Sequence, residues 1–450
     1  MHLDRTTAPG GIEIPGLDGE LVVDPAVLAE AGEDYGHVVR RPPVAVLRPG
    51  SVRDIVTAVR FANQHGITVA MRGQGHGVYG AARATLVIDS RALATIHRID
   101  PDSAVVDAGV RWGDLTRAAL AAGRTPPVAT DYLGLSVGGT LSVGGIGGAS
   151  GRHGLQVDTV RELEVVTGDG RLVRCSARHD AELFDAVLGG LGQFGIIARA
   201  TVALVAARAT ARIYRLTYAS VAALTAGQRT VLADGRFDHL QGQVLPEEGG
   251  GYRYELEGAV YYTAPNSPAD AAVLAGLSPL TTEIEELPYF DWLNRISEIV
   301  DELAELRLPN PWLNLFLPDT VVDEFVARTL ADLTPADTGG GVILLYPVRR
   351  EALTRPFVPV PRTPVVFLFS LLRMVIPPDR AEVRRLLRAN AELYEQAREL
   401  GATQYAIGAI PMTPQDWRRH YGAEYPRVVA AKARFDPQHI LTPGPQIFPE

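Results

Sequence analysis

The sequence predicts an α+β protein of two domains, and three observations carry that reading. The chain is 450 residues long. Its amino-terminal part alternates short strand patterns with helix patterns and glycine-dense loops, and after about Ala206 it turns to longer strand-like runs. At about 150 residues per domain there is room for two or three cores. Hydrophobic residues make up 46% and charged residues 21%, close to globular averages, so disordered, collagenous and coiled-coil readings fail.

Taken in order, residues 45–49 read as a strand. A helix follows from Ser51 to about His65, with serine at its start, Asp54 three positions on, and Gly66 as the stop. Residues 67–71 form a second strand, 72–80 a glycine-rich loop and 85–89 a third strand. A strand at 104–108 and a helix at 112–122 precede residues 125–154, which have neither helical nor strand periodicity. A loop of that length in a compact domain usually serves a ligand. Residues 160–167 and 172–176 pair as a hairpin about Gly168-Asp169-Gly170, and a helix at 181–188 leads through a glycine cluster to a strand at 196–204. Beyond Ala206 the strand patterns are 252–262, 341–346 and 364–372, with helices near Ala269, Phe290 and Ala381. The expected division is 1–206, 207–412, and a tail 413–450 that returns to the first domain. No repeat or low-complexity tract is visible.

Composition excludes several functions. With 43 basic against 52 acidic residues the net charge is −9, opposite to the footprint of a nucleic-acid or anionic-membrane binder. Lys432 is the only lysine and does not follow a glycine run, so phosphate-loop and Schiff-base chemistry are absent. Cys175 is the single cysteine and the start, Met1 to Arg5, is not an apolar signal core, so a cytoplasmic location is expected. The most apolar run, 365–376, is broken by Ser370 and Arg373 and is too short for a span of about 20 residues. No C-x-x-C or H-x-x-x-H spacing supports a metal site.

Two motifs tempt and fail. Gly75-His76-Gly77-Val78-Tyr79-Gly80 fits the dinucleotide fingerprint, but a strand pattern rather than a helix follows it. Gly134-Leu135-Ser136-Val137-Gly138 fits a hydrolase nucleophile elbow but lacks the flanking strand and helix. What remains is three glycine clusters, 72–80, 136–154 and 189–195, whose backbone N–H groups can approach one large, extended cofactor closely.

The segments Arg72-Gly73-Gln74-Gly75-His76-Gly77, Thr130-Asp131-Tyr132-Leu133-Gly134-Leu135-Ser136-Val137-Gly138-Gly139-Thr140-Leu141-Ser142 and Leu188-Gly189-Gly190-Leu191-Gly192-Gln193-Phe194-Gly195-Ile196-Ile197 resemble the FAD-binding domain of the vanillyl-alcohol oxidase superfamily. Within it they most resemble cytokinin dehydrogenases, with further echoes at 311–316 and in the tail, 435–448. The resemblance is dense over the first domain and thin over the second. It implies a PCMH-type FAD-binding fold joined to a substrate domain built on an antiparallel sheet flanked by helices.

It also implies roles. His76 would carry FAD through a single covalent link to the 8α carbon. The cofactor would also be held by Arg72, Gly73, Gln74, Gly75, Gly77, Thr130, Tyr132, Ser136, Gly138, Gly139, Thr140, Ser142, Gly192, Gly195, Ile196, Ile197 and Gln446. A second, cysteinyl link is not expected, because Cys175 lies on the hairpin. Asp131 would act as catalytic base. Trp312, Asn314 and Tyr346 would line the substrate pocket, ordinary sheet packing being the alternative for the aromatics. For a pocket glutamate, Glu298 and Glu302 compete. Where the family usually has serine after the histidine, this chain has Gly77.

The implied reaction is a two-electron oxidation of a C–H next to N or O in a small molecule, with oxygen or another electron acceptor, in a monomer or homodimer. A cytokinin substrate is one reading, oxidative tailoring of a secondary metabolite a second, and a flavin-like binding protein without catalysis a third.

Overall fold

A computed structural model describes residues 12–247 and 250–449. The opening segment Met1 to Arg5 lies outside them.

Three larger sheets, beside a two-stranded one of Arg124–Thr125 and Val205–Ala206, organise the described residues. The first has the order Glu20–Val22, Ala45–Arg48, Leu86–Asp89, Val69–Arg72, with its last two pairings parallel. Helix Val52–His65 lays Ile55, Ala58, Val59 and Ala62 on Leu47, Val69 and Ile88, and it stops at Gly66 in the left-handed region (φ 63°). The expected serine cap is not formed. Ser51 donates instead to Asp18 (2.7 Å), while buried Asp54 accepts from the N–H groups of Asp18, Gly19 and Gly50. The acidic residue three positions into the helix is thus used to pin an earlier loop.

The second sheet is antiparallel throughout: Ile96–Ile99, Ser103–Asp107, Ile196–Ala203, Val160–Val166, Leu172–Ser176. Helices Trp112–Ala121 and Ala181–Val187 are buried in the same core. Residues 125–154 are more regular than their glycines predict, with helices at Val137–Val143 and Ser150–His153. Tertiary packing overrides propensity there: Val137 and Leu141 are fully buried, and the Trp112 indole donates to Thr140 Oγ1 (2.7 Å).

The third sheet has eight antiparallel strands in the order Thr281–Pro288, Thr210–Tyr218, Tyr252–Tyr262, His239–Pro246, Ile343–Arg349, Val365–Leu371, Leu313–Pro318, Thr403–Gln404. The pleat sorts its side chains. Leu313, Leu315, Ile343, Leu345, Phe367 and Phe369 pack among the helix residues Leu224, Val231, Phe325 and Val326. Asn314, Leu344, Tyr346, Leu368 and Ser370, one position out of step, border a cavity on the other side.

The tail closes against the first two sheets. Lys432, on helix Tyr425–Phe435, is buried; its amine pairs with Asp436 (2.7 Å) and donates to the carbonyl of Gln193 (3.0 Å). Asp436 in turn accepts from the N–H groups of Ile440 and Leu441, and the Ile440 carbonyl accepts from Val69 N–H (2.8 Å).

Candidate active site

A cavity of about 1120 Å³ separates the glycine loops from the eight-stranded sheet. Every cofactor and catalytic residue expected from the sequence borders it, from Arg72 through Asp131 to Gln446, as do Trp312, Asn314 and Tyr346. The loops come together because glycines let them nest. A Cβ on Gly73 would stand 2.1 Å from Ser136 Oγ, and Gly192, at φ +71°, would place one 2.7 Å from Thr442 Oγ1.

His76 sits in an aromatic box. Its ring stacks on Tyr35 (centroids 4.1 Å apart), with Tyr132 at 5.0 Å and the edge of Trp312 at 5.9 Å. Burial pushes the imidazole pKa down to about 4, so the ring is neutral at physiological pH. Thr130 Oγ1 donates to the carbonyl of Tyr132 (2.9 Å), closing the turn that carries Asp131, and the Tyr132 hydroxyl donates to Asp301 (2.6 Å).

Asp131 faces the sheet. The Tyr346 hydroxyl donates to its Oδ2, and burial followed by the Asp131 charge pushes that phenol well above its usual range, so it stays protonated and donating. The Arg295 guanidinium stands 3.5 Å from Oδ1, and its partner on the far side is buried Glu257, at 3.1 Å. Asn314 accepts from Ser370 (2.7 Å) through Oδ1. Asp131 Oδ1, Asn314 Nδ2 and Gln404 Nε2 are buried atoms of cavity-lining residues with no hydrogen-bond partner among the described residues, the pattern of groups that meet a ligand.

On the opposite wall the carboxyl of Asp34 is buried beside Gly77, accepting from Gly80 N–H (2.6 Å). Burial raises its pKa to about 7 despite that bond. The volume of the cavity, the close-packed backbone on one side and the unpartnered polar atoms on the other fit FAD with a small substrate beside it.

Neither glutamate weighed for the pocket reaches it: Glu298 and Glu302, on helix Ser297–Glu305, are both exposed and do not border the cavity; the helix turns Ile299, Val300 and Leu303 to it, and Asp301, also exposed, accepts from the Tyr132 hydroxyl. The segment after Ser136 is helical, contrary to expectation, yet no strand leads into it, so it is not a nucleophile elbow. No helix follows Gly75 to Gly80 before strand Leu86–Asp89, in keeping with the rejection of a dinucleotide fingerprint there. Sequence reasoning missed Asp34, Glu257, Arg295 and Asp301. None sits in a local motif. Asp34 lies ahead of the segments that carry the resemblance, and the other three lie in its thin part.

The chain matches the family model for an FAD-binding domain over residues 43–176, and the one described as cytokinin dehydrogenase 1, FAD and cytokinin binding, over residues 227–448. It is 34% identical to cytokinin dehydrogenase 1 of Oryza sativa subsp. japonica, over 96% of this chain and 92% of that one. The chain belongs to the cytokinin dehydrogenase family. Like the other members it is an FAD-dependent oxidoreductase. This family member is also 40% identical, over 95% of its length and 99% of the relative's, to an uncharacterised oxidoreductase of the fasciation locus of Rhodococcoides fascians. Its fold resembles that of 6-hydroxy-D-nicotine oxidase from Arthrobacter nicotinovorans, with a TM-score of 0.74, 22% identity, and coverage of 97% of this chain and 99% of the other. No described helix is long and apolar enough to cross a membrane. No group of three or more potential metal ligands occurs among the described residues.

Proposed function

We propose that this cytokinin dehydrogenase family member oxidises a C–H bond next to nitrogen in a small amine, with Asp131 as base and His76 as the covalent anchor of the cofactor. One observation carries the reading: Asp131 borders the same cavity as His76, with one oxygen engaged by Tyr346 and the other buried without a hydrogen-bond partner.

The open oxygen accepts the amine N–H of the substrate, and the carboxylate stabilises positive charge as it develops on that nitrogen. FAD, when bound, supplies the hydride acceptor. His76, kept neutral by burial, has a nitrogen lone pair available to join the 8α carbon. Arg72, Gln74, Gln446 and the backbone of the three glycine loops hold the rest of the cofactor. Trp312, Ile299, Val300 and Leu303 make an apolar side suited to a hydrocarbon substituent, while Asn314 Nδ2 awaits an acceptor. The division at residues 206 and 412 belongs to the same reading; it is supported by the separate eight-stranded sheet and by the tail's bonds to Gln193 and Val69.

A cytokinin, an adenine with an N6 isoprenoid chain, meets these demands, and the names of the rice relatives support it. Oxidation of another small metabolite is favoured by one feature: no glutamate of helix 297–305 borders the cavity, and Asp301 is engaged with Tyr132. Release of adenine from N6-isopentenyladenine, followed by chromatography with an added electron acceptor, decides between the two. Absorbance after acid precipitation tests the anchor. Yellow colour should stay in the pellet of the native protein and move to the supernatant for His76→Ala; colour released from the native protein would remove the covalent link.

A further inference from the structure

Beside the cavity lies a charge pair that no motif marks, Arg295 from the turn between helices Tyr289–Leu293 and Ser297–Glu305 and Glu257 from the eight-stranded sheet. Glu257 is buried on strand Tyr252–Tyr262 and accepts from Gln241 (2.7 Å), from Arg215 (3.2 Å) and from Arg295 (3.1 Å). Its charge is therefore met by Arg215 and Gln241 before Arg295 is counted. Arg295 is held separately. Its guanidinium lies 3.9 Å from the centre of the Trp292 ring and Nη1 donates to the Trp292 carbonyl (3.3 Å). The nitrogen that meets Glu257, Nη2, also stands 3.5 Å from Asp131 Oδ1.

Burying a cation there is costly, and a buried ion pair is weak evidence for a contribution to stability. Burial works against the charge of Arg295, but the carboxylates of Asp131 and then Glu257 outweigh it and keep the guanidinium protonated. The other groups facing Asp131 are Tyr346, on strand Ile343–Arg349, and, one residue along the chain, Tyr132 with Asp301. Arg295 is the cation at ion-pair distance among them. At 3.5 Å it is near enough to orient the carboxylate and too far to occupy Oδ1, which keeps no hydrogen-bond partner.

We propose that Arg295, clamped between Glu257 and the Trp292 ring, is the positioning residue of Asp131, fixing the orientation and charge state of the carboxylate while leaving one oxygen free for the substrate N–H. This rests on the reading of Asp131 as base. Arg295 touches no reacting atom; it acts through Asp131.

The test uses the flavin-loaded enzyme and two readouts. In pH-difference infrared spectra, the carboxyl band that disappears in Asp131→Asn belongs to Asp131. Its midpoint should move up by about one pH unit or more in Arg295→Met and in Arg295→Gln, because an opposite charge within about 4–6 Å is removed. Arg295→Lys should restore it in large part. The acid limb of flavin reduction by N6-isopentenyladenine should move with the band, with kcat falling in the acid range and KM changing less. A midpoint in both neutral variants equal to that of the native enzyme, or lower, overturns the proposal. Failure of the base reading looks different: Asp131→Asn would then reduce flavin at the native rate, while the infrared midpoint still decides whether Arg295 acts on Asp131.

Discussion

The two walls of the cavity are made of different material. On one side three glycine loops bring backbone to the surface, beside Arg72, the His76 ring held neutral by burial, and Asp34, buried beside Gly77. On the other side, side chains meet Asp131, Tyr346 from one strand and Arg295 from the turn before helix Ser297–Glu305, the latter backed by Glu257 on a second strand. The first wall recognises by shape and backbone, which suits a large constant cofactor. The second recognises by charge and directed donors, which suits a small substrate and a proton.

The comparison breaks most sharply at Asp131. Asn there keeps the hydrogen bond from Tyr346 and loses the charge, so flavin reduction should slow by about 10²–10⁴-fold while flavin content stays native. Stopped-flow bleaching beside an absorbance spectrum measures both. A loss of flavin together with rate would show that the two walls are not separable.

Next in size is Lys432, beneath the backbone wall. Lys432→Met leaves Asp436 buried without its cation, which should cost about 3–5 kcal/mol in denaturant titration. Because the same amine donates to Gln193 within the third glycine loop, retained flavin should fall as well. Native flavin retention in the variant would mean that the loop holds its shape without the tail.

The smallest effect belongs to Asp34. Its pKa is raised from 3.8 to about 7, so the folded protein binds the extra proton. The resulting stability is full below pH 4 and is lost as pH rises through 7. The shift corresponds to about 4 kcal/mol at most, and relaxation of the loop should leave about 2. Asp34→Asn should therefore melt above the native protein at pH 8 and level with it at pH 4. Parallel melting curves across that range would place the ionised carboxylate in contact with water or a cation.

The backbone wall was largely legible in the sequence, because close approach of main chain demands glycine and the glycines sit in short runs around His76, Ser136 and Gly192. The sheet wall was legible only in part, through the resemblance that marks Trp312, Asn314 and Tyr346. Arg295 and Glu257 meet Asp131 only through the tertiary fold, and a lone arginine in a half-apolar segment carries no spacing to notice. Strand Leu313–Pro318 is buried on both faces and so shows no alternation, while helix Val137–Val143 is hidden by the glycines its packing tolerates. Of the two glutamates weighed for the pocket, Glu302 is one position and Glu298 three positions from Asp301, and a helix turning about 100° per residue gives the cavity side to Ile299, Val300 and Leu303 instead.

The buried amine of Lys432 also determines how the molecule meets reagents. As the chain has no other lysine, the native fold offers no lysine side chain to acylating dyes, cross-linkers or coupling resins. Label arriving at that position would therefore time how often the tail lifts from the loop at residues 189–195, a clock built into the sequence by having a single hand.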